Sequence, residues 1–320
     1  MILMPWLLSG LGLLILLLAG DSLVKGAVNL SLRLGVPALI VSLTIVAFGT
    51  SAPELLIAVQ AVLEDAPGLA LGNVVGSNIA NILMVLGIPA LMAVMHTSEC
   101  DTRKTYKFMI VATVLFIALA FRGVFDWIAG IVLLAALGFV LFDAFREAHA
   151  HRKACTEAVE EEEEEVEGAD PDLPWKRIIL FIFLGMVGLP LGADLLVDNA
   201  TIIARTYGIS ETVIGLTLVA IGTSLPELAT TVMAALRRQA DVALGNVIGS
   251  NMFNLLAIIG IASLFGPIPV DDDFIELDLW VMLAASLLII PFVFMLYDLN
   301  RLSGLALSGL YVVYLASVLS

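Results

Sequence analysis

The chain carries two copies of itself. VAFGTSAPEL at 46–55 recurs as VAIGTSLPEL at 219–228 with eight of ten positions identical. ALGNVVGSNIAN at 70–81 recurs as ALGNVIGSNMFN at 243–254 with nine of twelve identical. One offset of 173 residues relates both pairs, and Glu54 and Glu227 each stand 27 residues before a closing asparagine, Asn81 or Asn254. Weaker matches extend outward, with Asp21 opposite Asp194 and Gly35 opposite Gly208. Whatever unit the first copy folds into, the second must fold into as well.

Composition identifies the solvent of that unit. Sixty per cent of the 320 residues are hydrophobic and only 14% are charged, where a soluble domain carries about a quarter charged residues; mean hydropathy is +1.05. A membrane span takes about 20 apolar residues. Apolar runs bounded by charge or by Pro and Gly fall at 3–24, 36–62, 69–95, 107–121 and 124–142, then at 177–204, 210–236, 242–266, 277–297 and 302–319. The expectation is an all-α integral membrane protein of ten transmembrane helices: a first five-helix repeat at 1–142, an acidic cytoplasmic loop at 143–176, and a second five-helix repeat at 177–320. The N-terminal run lacks a positive leader and a small-residue cleavage site before Lys25, so it reads as a retained first span.

Orientation follows from the basic residues. With both termini outside, Lys25, Arg33, Arg103, Lys104, Lys107, Arg146, Arg152, Lys153, Lys176, Arg177, Arg237, Arg238 and Arg301 face inward, and only Arg122 and Arg205 face outward. Five helices per copy is an odd number, so the second copy enters inverted. Two inverted repeats create a pseudo-two-fold axis in the membrane plane, with residues at the centre of each copy meeting near the midplane. A transporter that must present the same site to both sides has a use for that symmetry.

The repeated segments bring polar groups to that depth. Glu54 and Glu227 lie inside apolar runs, and a carboxylate at the bilayer centre costs several kcal/mol, about 3 on insertion scales, unless it holds a proton or a cation. Thr50 and Ser51 precede Glu54 within a turn, as Thr223 and Ser224 precede Glu227. Ser77 with Asn81, and Ser250 with Asn254, are i,i+4 pairs on one helix face. Pro53 and Pro226 give no N–H to the carbonyls of Gly49 and Gly222, which points to loosened backbone near Ala47–Thr50 and Ala220–Thr223. Oxygen donors without His or thiolate suit Ca²⁺, Na⁺ or Mg²⁺ rather than zinc or copper. A single Gly-Thr-Ser-x-Pro kink or small-residue stripe serves packing alone; recurrence with a buried glutamate each time argues for a site.

GTSAPE with GNVVGSNIAN, and GTSLPE with GNVIGSNMFN, resemble the α-repeats of the sodium/calcium exchanger family within the calcium/cation antiporters, in a prokaryotic-type member, and the resemblance spans the whole chain. It implies cation sites built by the second, third, seventh and eighth helices. Glu54 and Glu227 would be shared between Ca²⁺ and Na⁺. Thr50, Ser51, Ser77, Thr223, Ser224 and Ser250 would complete flanking sites, with the carbonyls of Ala47 and Ala220. Asn81 matches the family's usual amide. Asn254 stands where several members, including potassium-dependent exchangers, carry Asp. Two formal charges then neutralise one Ca²⁺, and any Na⁺ must rely on neutral oxygens.

The implied function is secondary antiport of Na⁺ against Ca²⁺ by alternating access, with Ca²⁺/H⁺ exchange through the same glutamates as the alternative. A serine hydrolase lacks a His or Lys base beside Ser51 and Ser224, no GxSxG elbow occurs, and no P-loop supports pumping by ATP hydrolysis. A passive channel conflicts with tight binding by paired glutamates. A net charge of −15 argues against nucleic acid. No cofactor and no obligate protein partner is indicated.

Peripheral groups read more plainly. The acidic run from Glu157 through Glu160–Glu165 to Glu167, Asp170 and Asp172 reads as a solvated tether, with a weak cation sensor as the alternative. Cys100 and Cys155 read as free cytoplasmic thiols. Asp21 and Lys25 form an i,i+4 pair. Asp194 and Asp198 read as solvated interfacial groups, with an access path as the alternative, and Asp271, Asp272 and Asp273 read as a solvated outer turn, with electrostatic concentration of cations as the alternative. His96, His149 and His151 fall in inner loops. Compact size and the lack of a transit peptide suggest a prokaryotic inner membrane.

Overall fold

The computed structural model describes residues 3–97, 102–157, 170, 172–208, 220–271 and 274–319. Cys100, Asp272, Asp273, the Glu160–Glu165 run, Glu167 and the expected start of the seventh span at 210–219 lie outside the described residues, as do the side chains of His151, Cys155 and Glu157.

The chain is helical almost throughout. α1 spans Leu3–Leu34, α2 Ala38–Thr50, α3 Ala52–Leu63, α4 Pro67–Met92, α5 Arg103–Ala120 and α6 Trp127–Glu157. α7 spans Trp175–Thr206, α8 Ala220–Thr223, α9 Leu225–Leu236, α10 Ala240–Phe265, α11 Phe274–Phe294 and α12 Arg301–Leu319. Six helices are long and apolar enough to cross a bilayer: α1, α4, the Trp127–His149 part of α6, α7, α10 and α11. The bent pair α2–α3 makes a seventh candidate. Within their apolar windows α4 and α10 are 83% and 89% buried, whereas α1, α6, α7 and α11 are 28–33% buried. The two helices that carry the GNxxGSN segments therefore form the centre, and the others present apolar faces outward, as a lipid-facing layer does.

The 173-residue offset is visible in the helix ends: α3 maps onto α9 and α4 onto α10 with both boundaries preserved. Contacts between the copies are reciprocal. A methyl group on Gly12 of α1 would lie 2.9 Å from the Gly192 carbonyl oxygen of α7, and one on Gly185, the counterpart of Gly12, 3.1 Å from the carbonyl of Ala19, the counterpart of Gly192. Small residues thus let α1 and α7 approach backbone to backbone. β1, Val124–Phe125, pairs antiparallel with β2, Ile268–Pro269. Met95, the counterpart of Ile268, bridges to Leu299 through backbone bonds of 3.0 and 3.1 Å, so each copy pairs with the other at equivalent places, one residue apart in register.

Two spans run further than the apolar runs suggest. α1 continues from 24 to Leu34 because Lys25, the charge that bounds the run, is neutralised by Asp21 at 2.9 Å on the same helix face. α6 continues from 142 to Glu157 because DAFREAHAHRKACTE contains good helix formers and neither Gly nor Pro. His149 accordingly lies on a helix rather than in a loop.

Candidate cation site

Both glutamates sit just past a break in their helices. Ser51, between α2 and α3, has φ −87° and ψ 2°; Ser224, between α8 and α9, has φ −90° and ψ 4°. At the first break the axis bends by 45°. Pro53 and Pro226 occupy the second position of the helix that follows, where a missing N–H costs nothing. Glu54 and Glu227 are placed in those first turns, where the positive end of the helix dipole favours a carboxylate. Gly49 and Gly222 have a packing role beyond loosening the backbone: a methyl group would meet Met186 at 3.1 Å in one case and Val197 at 2.7 Å in the other, both on α7.

The central helices supply the remaining donors. On α10 a methyl group at Gly249 would lie 2.6 Å from the Ala47 Cβ and 2.6 Å from the Leu43 carbonyl oxygen, so glycine allows α10 to press against α2. The Ser42 hydroxyl donates to the Val242 carbonyl at 2.6 Å across the same contact. α4 and α10 each contain a π-helical turn, Asn81–Val85 and Phe253–Ile258, with Asn81 and Asn254 inside them. Such turns leave the regular backbone ladder and cluster at functional positions.

Four elements converge. Ser51 donates to Glu227 Oε1 at 3.3 Å. The Thr50 hydroxyl lies 3.3 Å from Ser250 Oγ and 3.3 Å from Asn246 Oδ1. Asn81 donates to Asn251 Oδ1 at 3.0 Å, and Asn251 donates to the Asn78 carbonyl at 3.3 Å. Glu54 and Glu227 lie close enough to interact electrostatically and are both 0% exposed.

Many of these buried atoms have no partner in the protein. Both carboxylate oxygens of Glu54, Glu227 Oε2, the hydroxyls of Ser77 and Ser224, both side-chain polar atoms of Asn78 and Asn254, and Asn81 Oδ1 are all unbonded. Buried polar atoms in a folded protein are satisfied almost without exception, and a cluster of exceptions needs a cause. Two adjacent carboxylates in a dry interior are tolerable only with a proton or a bound cation. Among the described residues no three His, Cys, Asp or Glu side chains gather. The donor set is therefore two carboxylates plus neutral oxygens, a combination that suits hard cations.

Of the sequence-predicted residues, Thr50, Ser51, Glu54, Ser77, Asn81, Ser224, Glu227, Ser250 and Asn254 are all buried at this junction. Thr223 is half-buried. The Ala47 carbonyl is already engaged by the Ser51 N–H at 3.0 Å and the Thr50 hydroxyl at 3.2 Å. Ala220 begins α8, and its side chain lies outside the described residues. Asn78, Asn246 and Asn251 were not among the predicted residues. The signal was present: Asn246, Ser250 and Asn254 follow one another at i,i+4, and Asn78 stands at i,i+3 to Asn81. Asp21 pairs not only with Lys25 but also with Arg237, just past α9. Asp194, Asp198 and Asp271 are exposed, and His96 lies 3.0 Å from Asp298 at the surface.

Several known proteins share this architecture. Over 349 aligned residues, the chain is 32% identical to sodium/calcium exchanger MaX1 of Methanosarcina acetivorans, covering 98% of both chains. Inner membrane protein YrbG of Escherichia coli is 34% identical over 312 residues, 95% of this chain and 94% of that one. The solved structure of the sodium/calcium exchanger from Methanococcus jannaschii superposes with a TM-score of 0.83 at 29% identity, covering 99% of each chain. A protein-family model described as sodium/calcium exchanger protein matches residues 4–145 and 177–320. The chain thus belongs to the sodium/calcium exchanger protein family.

Proposed function

We propose that this protein is a secondary active antiporter that exchanges Na⁺ for Ca²⁺ across a prokaryotic inner membrane by alternating access. The observation that carries this reading is the cluster of unpartnered oxygens around Glu54 and Glu227, supplied by both copies of the repeat. One shared site whose occupants compete for the same carboxylates is all that exchange requires. Glu54 and Glu227 would hold Ca²⁺ between them. Thr50, Ser51, Ser77, Thr223, Ser224 and Ser250, the amides of Asn81 and Asn254, and the Ala47 and Ala220 carbonyls would contribute neutral oxygens as the backbone adjusts around each ion.

The reading includes ten transmembrane helices in two inverted five-helix halves, at 1–142 and 177–320, joined by an acidic cytoplasmic loop, with both termini outside. Matching helix ends and reciprocal contacts between the copies support it. Differences between equivalent contacts indicate which side is open. On the inner side Asp21 of α1 binds Arg237 at the end of α9, and Ala229 of α9 is only 6% exposed. At the equivalent outer positions the counterpart of Arg237 is Glu64, an acid that cannot pair with Asp194, and Leu56 is 72% exposed. We assign this arrangement to the outward-facing state, closed toward the cytoplasm.

The test is ⁴⁵Ca²⁺ uptake into proteoliposomes under an imposed Na⁺ gradient and, separately, an imposed pH gradient. Uptake driven by the Na⁺ gradient is expected. Uptake driven only by the pH gradient would replace Na⁺ with H⁺ as the counter-ion, and linear uptake without any counter-ion would identify a channel.

A further inference from the structure

We infer that Asn246 is a positioning residue for Na⁺ binding, and that the site is functionally lopsided because its counterpart, Asn73, does not do the same work. The inference deepens the exchange reading and rests on it.

Asn246 is completely buried on α10 and links three elements. Its Nδ2 donates to the Glu227 main-chain carbonyl at 3.3 Å and to Thr231 Oγ1 at 3.1 Å, both on α9. A main-chain carbonyl can only accept, so the amide orientation is determined and Oδ1 points the other way. There it lies 3.3 Å from the Thr50 hydroxyl, whose single proton it shares with the Ala47 carbonyl at 3.2 Å. Thr50 is the first neutral donor before the α2–α3 break, and a hydroxyl has one proton and two lone pairs. To coordinate a cation it must send that proton elsewhere. Asn246 offers a side-chain acceptor for it and joins Thr50 of one copy to the Glu227 turn of the other.

The second copy of this device is missing. The counterpart of Thr231 is Ala58, which has no hydroxyl. Asn73 is half-buried, and its Nδ2 has no partner. The flank of the site at Thr50 is therefore held by a buried amide network, whereas among the described residues the Asn73 amide nitrogen has no acceptor. Carboxylates dominate Ca²⁺ binding, whereas Na⁺ depends more on neutral oxygens, so the loss of Asn246 should fall mainly on Na⁺.

The experiment measures Na⁺-driven ⁴⁵Ca²⁺ flux in proteoliposomes as a function of Na⁺ and of Ca²⁺. Asn246→Ala is expected to raise the Na⁺ concentration at half-maximal flux about fivefold, the equivalent of one net hydrogen bond of about 1 kcal/mol, with the half-saturating Ca²⁺ changed less than twofold. Asn73→Ala should leave both within about twofold. Thr231→Val, which removes one acceptor of the amide while leaving it in place, should shift Na⁺ dependence in the same direction and serves if Asn246→Ala does not fold. In a Thr50→Val background Asn246→Ala should add nothing, since its effect passes through that hydroxyl. Equal effects at Asn73 and Asn246, an effect undiminished in the Thr50→Val background, or a shift confined to Ca²⁺ would overturn the inference. Failure of the exchange reading would look different: the unmodified protein would show no Na⁺-driven flux.

Discussion

Ser51 donates to Glu227 across the junction between the two copies, but Ser224 makes no corresponding bond to Glu54. Residues equivalent in sequence thus do different things in the structure. Ser51→Ala should lower thermal stability in detergent without cations by about 1 kcal/mol, the net worth of a buried hydrogen bond. Ser224→Ala, which removes a hydroxyl already without a partner, should cost less or be neutral. Both should weaken Ca²⁺ binding. Equal destabilisation by the two changes would mean that the asymmetry is not a property of the protein in solution.

Asn254 tests the charge of the site. Its amide is completely buried with neither atom bonded, and a carboxylate there would face the same cluster. Asn254→Asp raises the formal charge of the set from two to three, and ligand charge tunes affinity for hard divalent cations. The half-saturating Ca²⁺ concentration should fall by about tenfold, measured as ⁴⁵Ca²⁺ flux. An unchanged value would place position 254 outside the ion site.

The Asp21–Arg237 pair ties α1 to the end of α9 on the side read as closed. Removing it with Arg237→Gln should populate the inward-open state more. A half-buried ion pair is worth about 1 kcal/mol, so apparent Ca²⁺ affinity should rise about two- to fivefold at the inner face and fall at the outer face. Exchanging the charges, Asp21→Arg with Arg237→Asp, should restore both values. Flux assayed from each face of oriented vesicles separates the outcomes, and a change in the same sense at both faces would rule out a latch.

Close packing of α10 on α2 depends on Gly249. Gly249→Val would force the Ala47 and Leu43 backbone away and should destabilise the protein by about 1–3 kcal/mol, as overpacking does. Gly309, which is exposed on α12 and has no described atom near its missing Cβ, provides the control: Gly309→Ala should leave thermal stability unchanged or raise it, since alanine is the better helix former. Equal melting temperatures for the two variants would contradict the packing argument.

The all-helical class and the correspondence between the two copies were legible because the repeat is ungapped. An offset read from GTSxPE and GNxxGSN alone carries α3 onto α9 and α4 onto α10. Paired glutamates in apolar runs pointed to the site because burial of a carboxylate demands a partner. Helix length was less legible: hydropathy ends α6 at 142, whereas local helix propensity carries it to Glu157. The buried amides Asn78, Asn246 and Asn251 are less legible because an asparagine in an apolar helix serves helix–helix packing as readily as a site, and only the fold brings these three to the junction. Broken symmetry lies beyond any reading of nearly identical segments. GTSAPE and GTSLPE are equally able to bond across the junction, and tertiary packing decides that Ser51 does so while Ser224 does not.

The central claim is that Glu54 and Glu227 jointly hold the transported cation. The most direct measurement is Na⁺-driven ⁴⁵Ca²⁺ uptake by reconstituted Glu54→Gln protein, beside the unmodified protein in matched proteoliposomes. Glutamine preserves size and removes the charge that neutralises Ca²⁺, so uptake should fall to the level of protein-free vesicles while insertion and thermal stability remain normal. Near-normal uptake by Glu54→Gln would contradict the account.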